Sequence, residues 1–440
     1  MGFKKNISFL ILLSFVMIIV SCRQGSKKEN VVPAVDIDSV VRRMSDIMVH
    51  DITNPPLAAR FFAYAFLSGY EIVSQNNPSV KNMKGILNEY PSMTKPDVKK
   101  YNYQLAALLA VIETASRIQP SGKQLGSLKD KILRQAAKGL DKETVEGSVA
   151  YATDITGQVL KYARDDGYRK FSDYPRYTPV DGEGYWFPTP PGYIAAIEPY
   201  FGKLRTFLLD SVSKFIPPQP ASFNKNKSSD FYKLMDSVYQ KGIHLTKEEQ
   251  AIAAFWDCNP FALADQGHLK VGIKKISPGA HWMGISGIAC AQQHVSFDSS
   301  IEVYTLLALT LTDAFICCWD EKYRSNRIRP ETAIRLYIDP QWKPLLQTPP
   351  FPEYVSGHSV VSGASAEILS HYFGDNFSYK DSVEKDFGLP PRSFQSFRQA
   401  AQEAALSRYY GGIHFMDANR NGLQQGKKIG KFILSKYFKN

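Results

Sequence analysis

Glu302-Val-Tyr-Thr-Leu-Leu-Ala-Leu-Thr-Leu-Thr-Asp-Ala-Phe-Ile-Cys-Cys-Trp319 is apolar on nearly every side of a helix. A helix of that kind lies either in a membrane or in the middle of a large protein. Asp313 and the threonines Thr305, Thr310 and Thr312 favour the second, so this segment is expected to be a central core helix. Helical spacing of apolar residues recurs on both sides of it. Upstream it covers Asp36–Ile47, Pro56–Val73, the Ala- and Leu-rich run Tyr101–Ile118, and Glu143–Tyr168. Helices resume near Ser229 and include Lys247–Trp256 and His281–Gln293; Ser359–Phe373 and Phe394–Tyr410 follow the central helix. No stretch alternates with period two, so no sheet is expected, and the fold class is all-α, a multi-helix bundle.

Two stretches break the pattern. Arg169–Pro199, with Tyr185-Trp-Phe-Pro-Thr-Pro-Pro-Gly192, is too rich in proline for a long helix and reads as an ordered loop. Pro217–Asn226 is the second break. They divide the chain into an N-terminal helical region, residues 34–215, and a catalytic helical domain, residues 229–440. No internal repeat stands out.

The composition is that of a globular protein: of 440 residues, 44% are hydrophobic and 22% charged. The net charge of +11 fits either a basic surface near anionic lipid or a basic pocket for an anion. Nucleic-acid binding is not expected, because the Lys and Arg residues are scattered without an Arg-rich arm or zinc-finger spacing. The five cysteines, Cys22, Cys258, Cys290, Cys317 and Cys318, show no C-x-x-C pairing, and no zinc site is expected. Cys317 and Cys318 read as small packed hydrophobes. A disulfide from Cys258 or Cys290 is open, since an exported protein permits one.

Export is read from the first residues. Lys4 and Lys5 precede an apolar run, Ile7–Val20, of about 14 residues, short for a membrane span. Ile19-Val-Ser-Cys22 resembles the bacterial lipobox, in which the cysteine is lipidated and becomes the mature N-terminus. Residues 1–21 are then a signal peptide, Cys22 carries lipid, and residues 22–33 form a flexible tether. The expected location is a bacterial membrane, the outer membrane facing the periplasm.

Three short segments of the C-terminal half carry groups suited to a tetrahedral oxyanion. In Lys322-Tyr-Arg-Ser-Asn-Arg-Ile-Arg329-Pro330, Lys322 and Arg329 are seven apart, expected on one helical face that Pro330 then ends or bends. Lysine offers a compact charge and arginine a planar fork of donors. Alone, such residues are more often simply solvated. Ser356-Gly357-His358 opens a helix whose N–H groups and dipole point at an anion, with the Ser356 hydroxyl as a further donor and His358 able to give a proton. Alone, this is an ordinary N-cap. In Ser407-Arg408-Tyr-Tyr-Gly-Gly-Ile-His414, the glycine pair ends an Ala-rich helix and swings His414 back toward Arg408. A neutral imidazole there can attack phosphorus or ligate a metal oxyanion.

Together the three segments resemble the signature of the type 2 phosphatidic acid phosphatase and vanadium-dependent haloperoxidase superfamily: K-x6-R-P, P-S-G-H and S-R-x5-H. Val355 stands where the family has the proline. The family often has an Asp four residues after the last histidine; Ala418 stands there, and Asp417 is the nearest candidate to orient His414, with Asp313 as another. The resemblance covers residues from about Phe255 to Gly430 and implies the helical bundle of that superfamily.

The resemblance implies one anion site with two chemistries. In a phosphatase, Lys322, Arg329, Arg408, Ser356 and the Gly357 N–H hold phosphoryl oxygens, His414 forms a phosphohistidine, and His358 protonates the leaving alkoxide, with no cofactor. In a haloperoxidase the same groups hold vanadate, His414 ligates vanadium, and His358 assists peroxide before a halide is oxidised. The long helical N-terminal half and the stretch Trp319-Asp-Glu-Lys-Tyr323 look like the bacterial haloperoxidase branch. Trp319 and Phe351 resemble aromatics that flank the halide in that branch, or they are plain core. The alternatives are a periplasmic acid phosphatase acting on phosphate monoesters and a surface lipoprotein binding glycan or protein, with a vestigial site. The sequence says nothing of oligomeric state.

Overall fold

In the computed structural model, residues 35–266, 269–272 and 274–439 are described. The signal, the tether and Cys22 lie outside the described residues. Thirteen helices are present among those described. The seven that matter here are α2 (Pro55–Asn76), α3 (Tyr103–Ile118), α8 (Pro278–Gln292), α9 (Phe297–Ser325), α11 (Gly357–Phe373), α12 (Phe397–Tyr410) and α13 (Met416–Lys439).

Helix α9 contains the segment quoted first and occupies the centre. It is long and apolar enough to cross a membrane, yet 94% of its most apolar window is buried inside the protein, as a core helix requires. Ser296 caps it by accepting from the Ser299 N–H. Helices α2 and α11 pack on α9, α3 packs on α2, and α13 packs on α11. Helix α2 starts with prolines at its first two positions, where a missing N–H costs nothing, and Asn54 caps it. Asp313 in α9 is fully buried and accepts the N–H groups of Phe207, Leu208 and Leu209 at 2.7, 2.7 and 3.1 Å. It thus clasps an N-terminal loop and is not free to orient His414.

Two expectations are corrected, and two further observations bear on the reading. First, α9 ends at Ser325, with Asn326 in the left-handed conformation at φ 47°. Arg329 is the N-cap of a new helix, α10 (Pro330–Tyr337), so Pro330 begins a helix, its favoured place. Lys322 and Arg329 therefore do not share one helical face. Second, two antiparallel hairpins exist, β1 (Leu263–Gln266) with β2 (Leu269–Gly272) and β3 (Tyr379–Asp381) with β4 (Arg392–Phe394). Strands of three or four residues are too short to show an alternation. Third, Cys258, Cys290, Cys317 and Cys318 are all buried and unbridged. Fourth, the largest apolar cluster runs from Ile37 through α2, α3 and α9 to Tyr437, across the breaks at 169–199 and 217–226.

The Pro- and aromatic-rich loop is a strap. Trp186 is buried, its backbone N–H donates to the Asn326 carbonyl, and the Ile328 backbone N–H donates to the Gly184 carbonyl. The strap thereby fixes the turn between Lys322 and Arg329.

Candidate active site

The three motif segments converge. Lys322, in the last turn of α9, is fully buried. Its ammonium donates to the carbonyls of Pro352, Glu353 and Val355 at 2.8, 3.0 and 2.6 Å. All three of its hydrogens are thereby occupied, so it holds the segment leading into Ser356 and acts on an anion through charge. Burial pulls its pKa down to about 7.

Arg329 sits beneath His414. Its Nε donates to the Phe351 carbonyl at 2.9 Å, and its Nη1 to the Ile413 carbonyl at 2.8 Å and to His414 Nε2 at 3.1 Å. Its Nη2 is buried without a partner. Burial, and then the neighbouring Arg408 charge, pull Arg329 down to about 9. Arg408, in the last turn of α12, donates Nη1 to the Trp256 carbonyl at 2.5 Å. Its Nε and Nη2 make no hydrogen bond; Asp257 stands 3.8 Å from Nη2.

His414 follows Gly412, whose φ of 72° turns the chain back after α12. Its Nδ1 lies 2.9 Å from Glu353 Oε1, which also accepts the Phe415 N–H at 2.9 Å. A carboxylate at Nδ1 fixes the proton there and leaves the lone pair on Nε2, where Arg329 Nη1 meets it at 3.1 Å. Burial, followed by Arg329, Lys322 and Arg408, holds the His414 pKa well below the usual imidazole value.

Glu353, rather than Asp417, therefore orients His414. Asp417 is spent on Arg327, with oxygens 2.6 and 2.7 Å from its Nη1 and Nη2. Arg327 also donates Nε to Glu353 at 2.6 Å. Sequence reading passed over Glu353, Arg327 and the cleft-lining Phe261. A fully buried Glu in Pro352-Glu-Tyr354 gives no sign in sequence of what it pairs with.

Ser356 caps α11 by accepting from Ser359 N–H, and Gly357 is the first residue of that helix. His358 is the second; its ring bonds the Trp256 backbone, and its Nε2 has no partner. Burial, and then Arg408 and His414, hold it well below the usual imidazole value. Trp319, Phe351, Gly357, His358, Arg408 and His414 line one cleft. The Trp319 and Phe351 ring centroids are 5.0 Å apart.

Two guanidinium nitrogens of Arg408 and one imidazole nitrogen of His358 are thus unpaired on residues lining this cleft, Arg329 beside His414 has an unpaired Nη2 too, and the cationic groups depress one another's pKa values. Buried donors left unpaired are costly. A tetrahedral oxyanion would satisfy them, which is the test that vanadate or phosphate must pass here.

Residues 302–439 match the family described as the VCPO second helical-bundle domain. No curated protein matches the chain in sequence. Among solved structures, the first bacterial vanadium-dependent iodoperoxidase is 43% identical, with a TM-score of 0.85, covering 91% of this chain and 95% of that one. A bacterial vanadium-dependent chloroperoxidase in its holo form is 14% identical with a TM-score of 0.65, covering 88% and 93%; that likeness is one of fold alone. With 43% identity sustained over nine-tenths of its length, the chain belongs to the bacterial vanadium-dependent haloperoxidases, within the superfamily that also holds the type 2 phosphatidic acid phosphatases.

Proposed function

We propose that the chain is a vanadium-dependent haloperoxidase that oxidises iodide with hydrogen peroxide, holding vanadate among Arg329, Arg408, Ser356, the Gly357 N–H and His414. One observation carries this reading: Arg408 Nε and Nη2 and His358 Nε2 are buried without partners on residues that line the same cleft as His414, and Arg329, which donates to His414, has a partnerless Nη2 as well. Vanadate bound there supplies the Lewis acid that activates peroxide toward a two-electron halide oxidation.

Each residue has a derivable part. Glu353 keeps the proton on His414 Nδ1, so Nε2, which here accepts from Arg329, would be the atom that holds vanadate. The guanidiniums of Arg329 and Arg408 compensate the negative oxygens, and Lys322 adds charge while pinning residues 352–355. A neutral His358 with a free Nε2 accepts a proton from incoming peroxide. Trp319, Phe351 and Phe261 present apolar faces to the cleft, which suit a large, weakly hydrated halide. The iodoperoxidase at 43% identity supports iodide as that halide.

The test is an assay of the metal-free protein with iodide and peroxide, with and without added vanadate, beside an aryl phosphate. Iodide oxidation that requires vanadate and disappears in His414→Ala is expected. Phosphate-ester turnover blocked by vanadate, without iodide oxidation, would make the chain a phosphatase. Silence in both would leave a binding lipoprotein.

We also propose that the chain is exported and tethered through lipid on Cys22, on the strength of the lipobox-like Ile19-Val-Ser-Cys22. Fatty-acid labelling that survives Cys22→Ala would end that proposal.

A further inference from the structure

Beside the oxyanion cleft lies a second cluster that the haloperoxidase reading does not use. Cys258, His281 and Glu384 are all buried and bring Sγ, Nδ1 and Oε1 together. Sγ to Nδ1 is 3.6 Å, Nδ1 to Oε1 is 3.2 Å, and Sγ to Oε1 is 3.7 Å. We propose that these three side chains bind a zinc ion.

The separations carry the argument. A zinc ion about 2.3 Å from sulfur and about 2.0–2.1 Å from nitrogen and oxygen, at tetrahedral angles, places its ligand atoms roughly 3.3–3.6 Å apart. A charge-assisted N–H to carboxylate bond would be about 2.7–2.9 Å. At 3.2 Å the Nδ1 to Oε1 contact is at the long limit of a hydrogen bond and close to the edge of a zinc tetrahedron. The other ring nitrogen behaves differently: His281 Nε2 lies 2.8 Å from the fully buried Asp381 Oδ2, an ordinary hydrogen bond. A carboxylate on one imidazole nitrogen with the other facing the ion is how zinc-binding histidines are oriented. The donor set of thiolate, imidazole and carboxylate suits zinc, which has no redox chemistry of its own and so tolerates peroxide nearby. Binding releases the thiol proton of Cys258 as the sulfur–zinc bond forms.

No C-x-x-C spacing announces this site, because its ligands lie on three separate elements. Cys258 lies in the turn after Phe255, His281 in the first turn of α8, and Glu384 in the connection between β3 and β4. Cys258 also lines the oxyanion cleft, from which an ion would enter. The site braces the catalytic groups. The Trp256 ring stacks on His281 at 4.6 Å, and the Trp256 carbonyl holds Arg408. Zinc would staple the segment that carries this carbonyl to α8.

The test is metal analysis of the full chain purified without chelators, followed by cobalt substitution. About one zinc per chain is expected, and cobalt should give a thiolate-to-cobalt charge-transfer band with tetrahedral d–d bands. Both signals should vanish in Cys258→Ser and fall sharply in Glu384→Gln, a near-isosteric change whose folding circular dichroism checks. Both should persist in His414→Ala, which separates this site from vanadate. A folded wild-type chain that holds no zinc and takes up neither zinc nor cobalt would overturn the proposal. So would zinc retained undiminished in Cys258→Ser.

Discussion

Glu353 shows how a site residue hides in a sequence. It lies 61 positions from His414, and distance along the chain favours Asp417 instead. In space, Asp417 belongs to Arg327, and Glu353 is the carboxylate that bonds the His414 ring. Exchanging Glu353→Gln should weaken vanadate binding by about 10–100-fold, the usual effect of losing a carboxylate behind a metal-ligating histidine. Asp417→Asn should cost stability through Arg327 and change vanadate affinity by only a few fold. Calorimetric titration of both variants with vanadate decides it; the reverse order would return the orienting role to Asp417. The cations and imidazoles themselves were legible, because lysine, arginine and histidine at fixed spacing carry their chemistry in their names. What spacing could not show is that the Lys322 ammonium spends all three hydrogens on carbonyls. Its contribution is charge, and that charge depends on pH. With a free-protein pKa near 7, Lys322 is protonated below pH 7 and loses its proton above it. An oxyanion favours the protonated form, so binding above pH 7 must take up a proton. Tungstate, whose charge is constant over this range, should bind evenly below pH 7 and up to about tenfold more weakly per pH unit above it. Affinity that stays level to pH 9 would remove Lys322 from the anion's surroundings.

At the scale of helices, periodicity located the buried segments well and the turns between motifs poorly. The seven-residue step from Lys322 to Arg329 fits two turns of one helix and equally fits a helix end, a left-handed Asn326 and a fresh start at Pro330. Only the second lets Arg329 turn under His414. Helix α13 was not read at all. Its Gly422, Gly426 and Gly430 lower intrinsic helicity, and the helix exists because those glycines let it lie against α11. A Cβ at Gly426 would stand 1.9 Å from the Val360 carbonyl oxygen. Gly426→Ala must therefore push α11 and α13 apart, at a cost of about 1–3 kcal/mol or more. Because Ser356, Gly357 and His358 open α11, vanadate affinity should fall as well. Urea unfolding measures the first effect and vanadate titration the second. Gly126→Ala is the control: nothing lies within 4 Å of its Cβ, and its backbone is right-handed helical. The change there should be neutral or stabilise by about 0.4–1 kcal/mol. Equal unfolding midpoints for the two variants would mean that the α11–α13 contact yields at no cost.

Across the whole molecule, the Pro-rich breaks suggested two halves, yet the apolar cluster passes through both. A proline-rich stretch marks where a helix cannot continue; it does not reveal whether the helices on either side share a core. Here α9 is common to both: α2 and α11 each pack on it, while Asp313 clasps the loop at 207–209. The strap at 184–186 closes over the turn that carries Arg327 and Arg329. Local opening of the N-terminal half should therefore require loss of the oxyanion site. A ligand that binds only the folded state stabilises it by about 2.7 kcal/mol at a hundred times its Kd, and spreads that gain over whatever unfolds as one unit. Saturating vanadate should thus slow hydrogen exchange in α3, which contributes nothing to the cleft, by about the same factor as in α11. Heating should give one transition, at the same temperature by tryptophan fluorescence and by far-ultraviolet dichroism, and vanadate should move it whole. Protection confined to α11 and its neighbours, or a second transition that vanadate leaves in place, would show that the halves open separately and that the shared core does not couple them.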